Sequence, residues 1–535
     1  MWRLSRELRR PVSPYCLNTA IVHSQWSHTD QELLLKQLKP VETGYNRELC
    51  CMEGTREFVL NEIITWATAE PSQKNESNTY WVYGLPGIGK TTLAHSISER
   101  LHEQHQLAGA FFCRRDDPDL NEARNIIPTL INQLAIISPT FRSIVAKYLR
   151  NDRMAEFTIE SLFLNLLRSL PRRRMHKLVF VIDAFDECGD TLSRPGILKA
   201  LTDAAAQAGW LRIIVTSRPE IDIQRFFDTP AHSSHMRYDL AADQEASADL
   251  RTFARGQFDL VASRWYLPTT WPEESLFNSV ISHSNGLFIF IKTVVLTLEH
   301  CKDPTESLTA ILQYSTGAGL YGLYSSILQS RIPPNDVEFQ QVLGVLLASA
   351  PHRSLCKETI AELAGVRPDL VKKWVDDLSS LLYEDEGANK GVCVRHLSIS
   401  DFFISSECPY DYHVDRRDAN IQLGIACLTT MIYRLRFNIC KLEDSRLANA
   451  DIKDLHLRIE QNISDTLQYS CLHWANHLCS DLKNYNQRGQ EQLKKFIEGR
   501  YPLFWIEVLS LMGMVSTCGP SLQRVLLTWP KVSIT

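Results

Sequence analysis

Residues 79–91, TYWVYGLPGIGKT, carry the strongest structural signal in the chain. A strand-like apolar run leads into GLPGIGKT (84–91), which satisfies the pattern G-x-x-x-x-G-K-[ST] at Gly84, Gly89, Lys90 and Thr91. A helical stretch follows the loop and would aim the positive end of its dipole at the same place. Strand, glycine-rich loop and helix in this order predict a phosphate-binding loop, and a structural glycine-rich turn is the alternative.

The residue types of this loop suit the binding of a nucleotide. Gly87 and Gly89 would allow backbone N–H groups to approach phosphate oxygens closely. Lys90 would reach the β- and γ-phosphates, and the Thr91 hydroxyl would ligate Mg²⁺. The pattern does not distinguish ATP and ADP from GTP and GDP, because its contacts go to phosphates. The predicted nucleotide-binding residues are Gly84, Leu85, Pro86, Gly87, Ile88, Gly89, Lys90, Thr91 and Thr92.

Three further apolar runs have the character of buried strands. They are AGAFFCRR (108–115), KLVFVIDAF (177–185) and LRIIVTSR (211–218), and helical stretches separate them. Strands that are apolar at nearly every position are covered on both faces, and helical crossovers between them make the sheet parallel. The sequence therefore predicts an α/β fold with a parallel-sheet P-loop NTPase core over residues 79–228.

Two of these strands end in charged side chains that suit phosphoryl chemistry. Asp183 ends one strand at the edge where open α/β sheets bind ligands, and it can hold Mg²⁺ directly or through water. Asp186 and Glu187 follow it, and either of the two could orient or deprotonate an attacking water. Arg218 ends another strand and could stabilise charge at the γ-phosphate. The alternatives are an acidic loop and an arginine that merely cap strand ends.

The rest of the chain is predicted to be mainly helical. The sequence pattern of residues 229–330 predicts a helical domain. Helices followed by a short alternating pair are typical of a winged-helix domain, which we place at 331–406, and 407–535 predict a C-terminal helical region. Ahead of the core, we predict an N-terminal extension (1–45) and then a helix with a linker (46–78).

The composition excludes several classes of protein. The 535 residues carry a net charge of −5, which argues against a generic nucleic-acid binder, so we expect no nucleic-acid partner and disfavour a DNA-binding regulator. Scattered single cysteines favour a reducing compartment. No apolar run reaches the ~20 residues that span a bilayer. We therefore expect a cytoplasmic protein with no membrane span, although a basic start leaves a mitochondrial presequence open.

GLPGIGKTT, the acidic DAFDE (183–187) and TSRP (216–219) together resemble the NACHT class of STAND P-loop NTPases, and more narrowly the fungal NLR-like proteins. Further similar stretches, such as NGLFIFIKT (285–293) and VRHLSISDFF (394–403), extend the resemblance over about residues 48–515. The resemblance implies a slow NTPase that switches signalling, as in innate immunity or heterokaryon incompatibility. The diphosphate form would be closed, and the triphosphate form would open and self-associate or bind NLR-type partner proteins.

The same resemblance implies a role for His396, as a sensor of the phosphates of the bound diphosphate. A histidine that is simply satisfied in the core is the alternative. Members of the family carry an effector domain and a repeat array, and neither is recognisable in this sequence, so we interpret the chain as a switch module. A nucleotide-stabilised scaffold without significant turnover is the second hypothesis for its function.

Overall fold

The computed structural model describes residues 28–69, 77–150, 158–170, 177–229, 235–243, 245–314, 319–385, 390–444, 447–478 and 487–528. Most of the predicted N-terminal extension lies outside the described residues. The same holds for most of the predicted linker at 70–78 and for the tip of the predicted winged-helix hairpin.

The core is a parallel sheet of five strands, which lie side by side in the order 107–112, 178–183, 211–217, 79–83 and 236–239. At its carboxyl edge, Tyr83 pairs with both Ser217 and Asp239, and Phe112 pairs with Asp183. The strand ends therefore meet along one edge, where the predicted site lies. The strands are β1 Thr79–Tyr83, β2 Leu107–Phe112, β3 Leu178–Asp183, β4 Leu211–Ser217 and β5 Met236–Asp239.

Apolar side chains cover both faces of the sheet, as the predicted buried strands require. In β3, Phe180 and Ile182 pack in one apolar layer, whereas Val179 and Val181 pack in the other. The predicted parallel α/β fold is thus confirmed. The flanking helices are α1 His28–Leu35, α2 Glu57–Thr68, α3 Lys90–Glu103, α4 Ile126–Ile137, α5 Pro139–Arg150, α6 Ile159–Arg168, α7 Arg194–Gln207 and α8 Ile221–Asp228.

The sequence does not predict the fifth strand, because the predicted core ends at Asp228 and the stretch after it is expected to be helical. The segment MRYD (236–239) is short and polar, and it is only partly buried because it lies at the edge of the sheet. An edge strand needs no continuous apolar run, and β5 is defined by its pairing with β1.

A helical region follows the sheet and shares one apolar core, which extends from Leu250 to Val525. Within it, three helices (337–349, 357–364 and 368–377) precede an antiparallel pair of strands (382–384 and 392–394). These elements lie in the predicted winged-helix domain, and we call residues 337–403 the winged-helix module after that prediction. None of the described helices combines the length and the apolar character that crossing a bilayer requires.

The elements of this region fall into three groups in chain order. The first group is α9 Ala246–Arg264, α10 Glu274–Ser284, α11 Phe288–Glu299, α12 Pro304–Tyr314 and α13 Gly319–Arg331. The winged-helix group is α14 Val337–Ser349, α15 Lys357–Ala364, α16 Pro368–Asp377, β6 Leu382–Glu384, β7 Val392–Val394 and α17 Leu397–Phe403. The last group is α18 Arg416–Arg434, α19 Leu455–Asn462, α20 Asp465–Leu478, α21 Gln487–Glu498, α22 Tyr501–Leu511 and α23 Cys518–Thr528.

Candidate nucleotide site

The predicted phosphate loop connects β1 to α3. Gly87 and Gly89 have φ of 78° and 99°, in the left-handed region that favours glycine. The Nζ of Lys90 donates to the carbonyl oxygens of Gly84 and Leu85, each at 2.9 Å, so the ammonium lies across the loop. The pKa of Lys90 is lowered, because the effect of burial exceeds the opposing effect of the nearby Asp186 carboxylate. A buried ammonium held by carbonyl oxygens can also bind phosphate oxygens that arrive at the loop.

A cavity of about 480 Å³ lies over this loop. Its volume is within the range of small-molecule sites, and its walls come from the core, from the helices that follow and from the winged-helix module. Leu85 does not line it and is largely exposed. The loop residues that line it are Pro86, Gly87, Ile88, Gly89, Lys90, Thr91 and Thr92, and the other predicted site residues that do so are Asp186, Glu187, Arg218 and His396.

The two predicted metal ligands lie side by side. The pKa of Asp183 is raised to about 6, because the effect of burial exceeds the opposing effect of hydrogen bonds from Thr216 and Thr91. The Thr216 hydroxyl donates to Asp183 Oδ1, and it accepts from the N–H of Ala184 at 3.0 Å. A hydroxyl and a buried carboxylate are the all-oxygen donor set that Mg²⁺ prefers, so these residues fit the ion.

Arg218 connects the core to the winged-helix module. Its Nε lies 3.3 Å from Asp186 Oδ2, and its NH1 lies 2.6 Å from Asp401 Oδ2 in α17. The backbone N–H of Arg218 also donates to Asp186 Oδ1 at 2.8 Å. Asp186 is therefore engaged in holding Arg218, and a carboxylate of the winged-helix module occupies the other side of the same guanidinium.

Glu187 is less engaged than Asp186. Its Oε2 accepts a hydrogen bond of 3.3 Å from the N–H of Arg115. Burial and then the charge of Asp186 raise the pKa of Glu187 to about 7. A second cavity of about 570 Å³ borders Glu187, Thr91 and His396 from the β2 side. A carboxylate with a pKa near 7 that borders both cavities suits general-base chemistry.

His396 stands beside the phosphate loop. Its Cε1 lies 3.8 Å from the place where a Cβ on Gly87 would stand. The N–H of Ser398 donates to His396 Nδ1 at 3.2 Å, which assigns the ring proton to Nε2. Burial, followed by the charges of Arg218, Lys90 and Lys292, lowers the pKa of His396 to about 3. The neutral ring can therefore offer one N–H donor to a ligand.

Arg56 is a buried cation that sequence reasoning missed. Its NH1 lies 2.6 Å from Asp243 Oδ2, and the two side chains are only 4% and 2% exposed. Its NH2 donates to the carbonyl oxygen of Ile88 at 3.0 Å, and its guanidinium lies 5.1 Å from the ring centre of Phe288. A single arginine ahead of a helix belongs to no recognisable motif, so its spacing in the sequence gives no indication of this role.

Part of the core matches a known family. Residues 54–218 match the family model described as "Nephrocystin 3, N-terminal". The match covers less than a third of the chain and includes the phosphate loop and β1 to β4. A comparison with curated proteins gave no match.

Solved structures of replication proteins are similar at low TM-scores. Cdc6p from Pyrobaculum aerophilum is 12% identical, over 66% of this chain and 93% of that chain, with a TM-score of 0.32. Domain III of the replication initiation protein DnaA from Thermotoga maritima is 12% identical, over 50% and 97%, with a TM-score of 0.29. The Aeropyrum pernix ORC1 protein in complex with DNA is 13% identical, over 70% and 96%, with a TM-score of 0.28.

These TM-scores are too low to support a fold assignment. The fold is assigned from the strand order and the loop geometry of this chain itself. The family model and these three structures do not name a NACHT or NLR-like protein. The comparisons do not support the expectation that the protein has no nucleic-acid partner.

Proposed function

We propose that this protein is a nucleotide-dependent switch of the NACHT and STAND type. It binds a purine nucleoside di- or triphosphate, ATP or GTP, on the phosphate loop and hydrolyses the triphosphate slowly. Thr91 and Asp183 would hold Mg²⁺, which neutralises phosphate charge when bound. The diphosphate form keeps the winged-helix module against the core, and the triphosphate form opens and self-associates or binds NLR-type partner proteins.

The observation that carries this proposal is the position of Arg218. One guanidinium at the carboxyl edge of the sheet is shared by Asp186 of the core and Asp401 of the winged-helix module. A γ-phosphate at this edge would compete with Asp401 for the same cation. A ligand shifts a two-state equilibrium by its difference in affinity for the two states, and this competition supplies such a difference.

Identification of the bound nucleotide is the first test of the function. Purified protein would be denatured, and the released small molecules would be separated by chromatography. We expect a purine diphosphate or triphosphate in near-stoichiometric amount. Well-folded protein that releases no nucleotide, and that shows no heat of binding with ATP, ADP, GTP or GDP plus Mg²⁺, would contradict the proposal.

Asp401→Asn is expected to favour the open form. The change removes the charge that Arg218 binds at 2.6 Å and keeps the shape of the side chain. A hydrogen bond between charged groups contributes about 1.5–3 kcal/mol, so we expect a roughly tenfold to hundredfold shift toward the self-associating form. Analytical ultracentrifugation in the presence of triphosphate measures the shift.

The matched control is Asp376→Asn, because Asp376 is an exposed acid in the same module. It removes the same charge without touching Arg218, and it should sediment like the wild type. If Asp401→Asn also sediments like the wild type at every nucleotide concentration, Asp401 does not hold the closed form.

Glu187→Gln separates the switch from a scaffold. The substitution keeps the size of the side chain and removes a base whose pKa burial raises to about 7. We expect turnover to fall by about a hundredfold or more, as for other general bases, while nucleotide affinity changes by less than about threefold. Phosphate release and calorimetry measure the two quantities. A wild-type protein that binds nucleotide tightly and shows no turnover in any condition would instead support the scaffold.

A further inference from the structure

Helix α11 begins in direct contact with the phosphate loop. The N–H of Ile289 donates to the carbonyl oxygen of Gly87 at 3.2 Å. A Cβ on Gly87 would stand 2.1 Å from Ile289 Cγ2, so the loop and the helix touch with no space between them. Lys292 is three residues further along α11 and therefore lies on the same face as Ile289. Lys292 accordingly lines the cavity above the loop.

Lys292 lies at the rim of the cavity, where it stays exposed to solvent and close to a second cation, Arg395. Burial lowers the pKa of its ammonium, and the charge of Arg395 lowers it further. Arg395 lines the same cavity and directs its Nε toward the carbonyl oxygen of Ser379, at 2.5 Å. Across the described residues, Lys292 has neither a hydrogen bond nor an ion pair with another side chain. Lys292 is an exposed residue, and part of its surface belongs to the cavity wall.

The other cations of the cavity have partners. Lys90 donates to two carbonyl oxygens, and Arg218 is bound by two carboxylates. Arg56 forms a buried ion pair with Asp243. Lys292 is thus a cation that faces the cavity without a protein anion to balance it. Together with Lys90 and Arg218, Lys292 gives one wall of the cavity a concentration of positive charge, which favours an anionic ligand.

We propose that Lys292 is a phosphate-binding residue that reaches the polyphosphate end of the nucleotide from the side opposite Lys90. This inference rests on the proposed function, since the ligand is the same nucleoside diphosphate or triphosphate. The contact would make the helices after the core part of the binding site. Release of the nucleotide would then weaken the hold of α11 on the loop, so that occupancy of the site is transmitted beyond the core.

Lys292→Met tests the proposal, because methionine keeps much of the length of the side chain and removes its charge. The probes are ADP and GDP, with adenosine and guanosine as the ligands that lack phosphate. We expect calorimetry to show roughly tenfold to hundredfold weaker binding of the diphosphates, and unchanged binding of the nucleosides. Lys292→Arg should restore the diphosphate affinity to within about threefold of the wild type.

Lys302→Met is the matched control, since Lys302 is an exposed lysine that follows the same helix and does not line the cavity. It should bind all four probes like the wild type, and both variants should unfold at the wild-type temperature without ligand. Diphosphate binding of wild-type strength in Lys292→Met would overturn the inference and leave the proposed function standing. Equal weakening of diphosphates and nucleosides would also overturn it, because the role of Lys292 would then be structural. A wild type that binds none of the probes would overturn both.

Discussion

Lys90→Ala is expected to remove the bound nucleotide from the purified protein. The Nζ of Lys90 lies across the loop, 2.9 Å from the carbonyl oxygens of Gly84 and Leu85, and no other side chain of the loop is charged. Loss of a buried charge that contacts phosphates should weaken binding by at least about a hundredfold, or ~2.7 kcal/mol. Chromatography of the released nucleotide and calorimetry with added diphosphate measure the effect.

The control for this prediction is Lys199→Ala. Lys199 is an exposed lysine of α7, and its ion pair with Asp203 at 2.7 Å contributes little because both side chains are solvated. This variant should keep its nucleotide. If Lys90→Ala keeps the nucleotide in the same amount, the glycine-rich loop is a structural turn, which is the alternative interpretation of GLPGIGKT.

Gly87→Ala is expected to damage both the loop and its contact with α11. An alanine at φ of 78° costs roughly 1–2 kcal/mol, because the left-handed region is unfavourable for residues with a Cβ. The new Cβ would also stand 2.1 Å from Ile289 Cγ2, and relief of such an overlap typically costs about 1–3 kcal/mol. We expect a lower unfolding temperature together with a loss of nucleotide affinity of at least tenfold.

Two further variants show whether the damage arises in this way. Gly196 of α7 has no positive φ and open space around its Cα, so Gly196→Ala should unfold at or above the wild-type temperature. Adding Ile289→Ala to Gly87→Ala removes the Cγ2 atom and should recover part of the stability and affinity. If Gly87→Ala alone behaves like the wild type, α11 does not pack on the loop as described.

The sequence was sufficient to predict the sheet and the loop because their signals are local. Each buried strand is a continuous apolar run, and the phosphate loop is eight consecutive residues, 84–91, between a strand and a helix. The positions of Asp183 and Arg218 could be predicted in the same way, because each lies at the end of such a strand and therefore at the carboxyl edge of the sheet. The exception is β5, whose short polar sequence carries no signal and whose place depends on pairing with β1.

The division of labour between the two acids could not be predicted from spacing. Asp186 and Glu187 are neighbours in the chain, and either could have acted as the base. In the folded protein Arg218 engages Asp186 through both its backbone and its side chain. Both acids line the cavity over the loop, but Glu187 accepts only one backbone hydrogen bond and also borders the second cavity. Which of the two acids is held by an arginine depends on a partner that lies some thirty residues away in the chain.

The amino-acid sequence alone determined that this chain builds a parallel sheet with a phosphate-type loop, since consecutive residues encode both. Only the tertiary structure showed what encloses the loop. Arg56 forms an ion pair with Asp243, and Arg218 forms one with Asp401. Helix α11 packs Ile289 against Gly87 and places Lys292 on the wall of the cavity. The residues of the two ion pairs are separated by 187 and 183 positions. At such separations no periodicity or spacing links two residues, and their meeting depends on how complete modules pack.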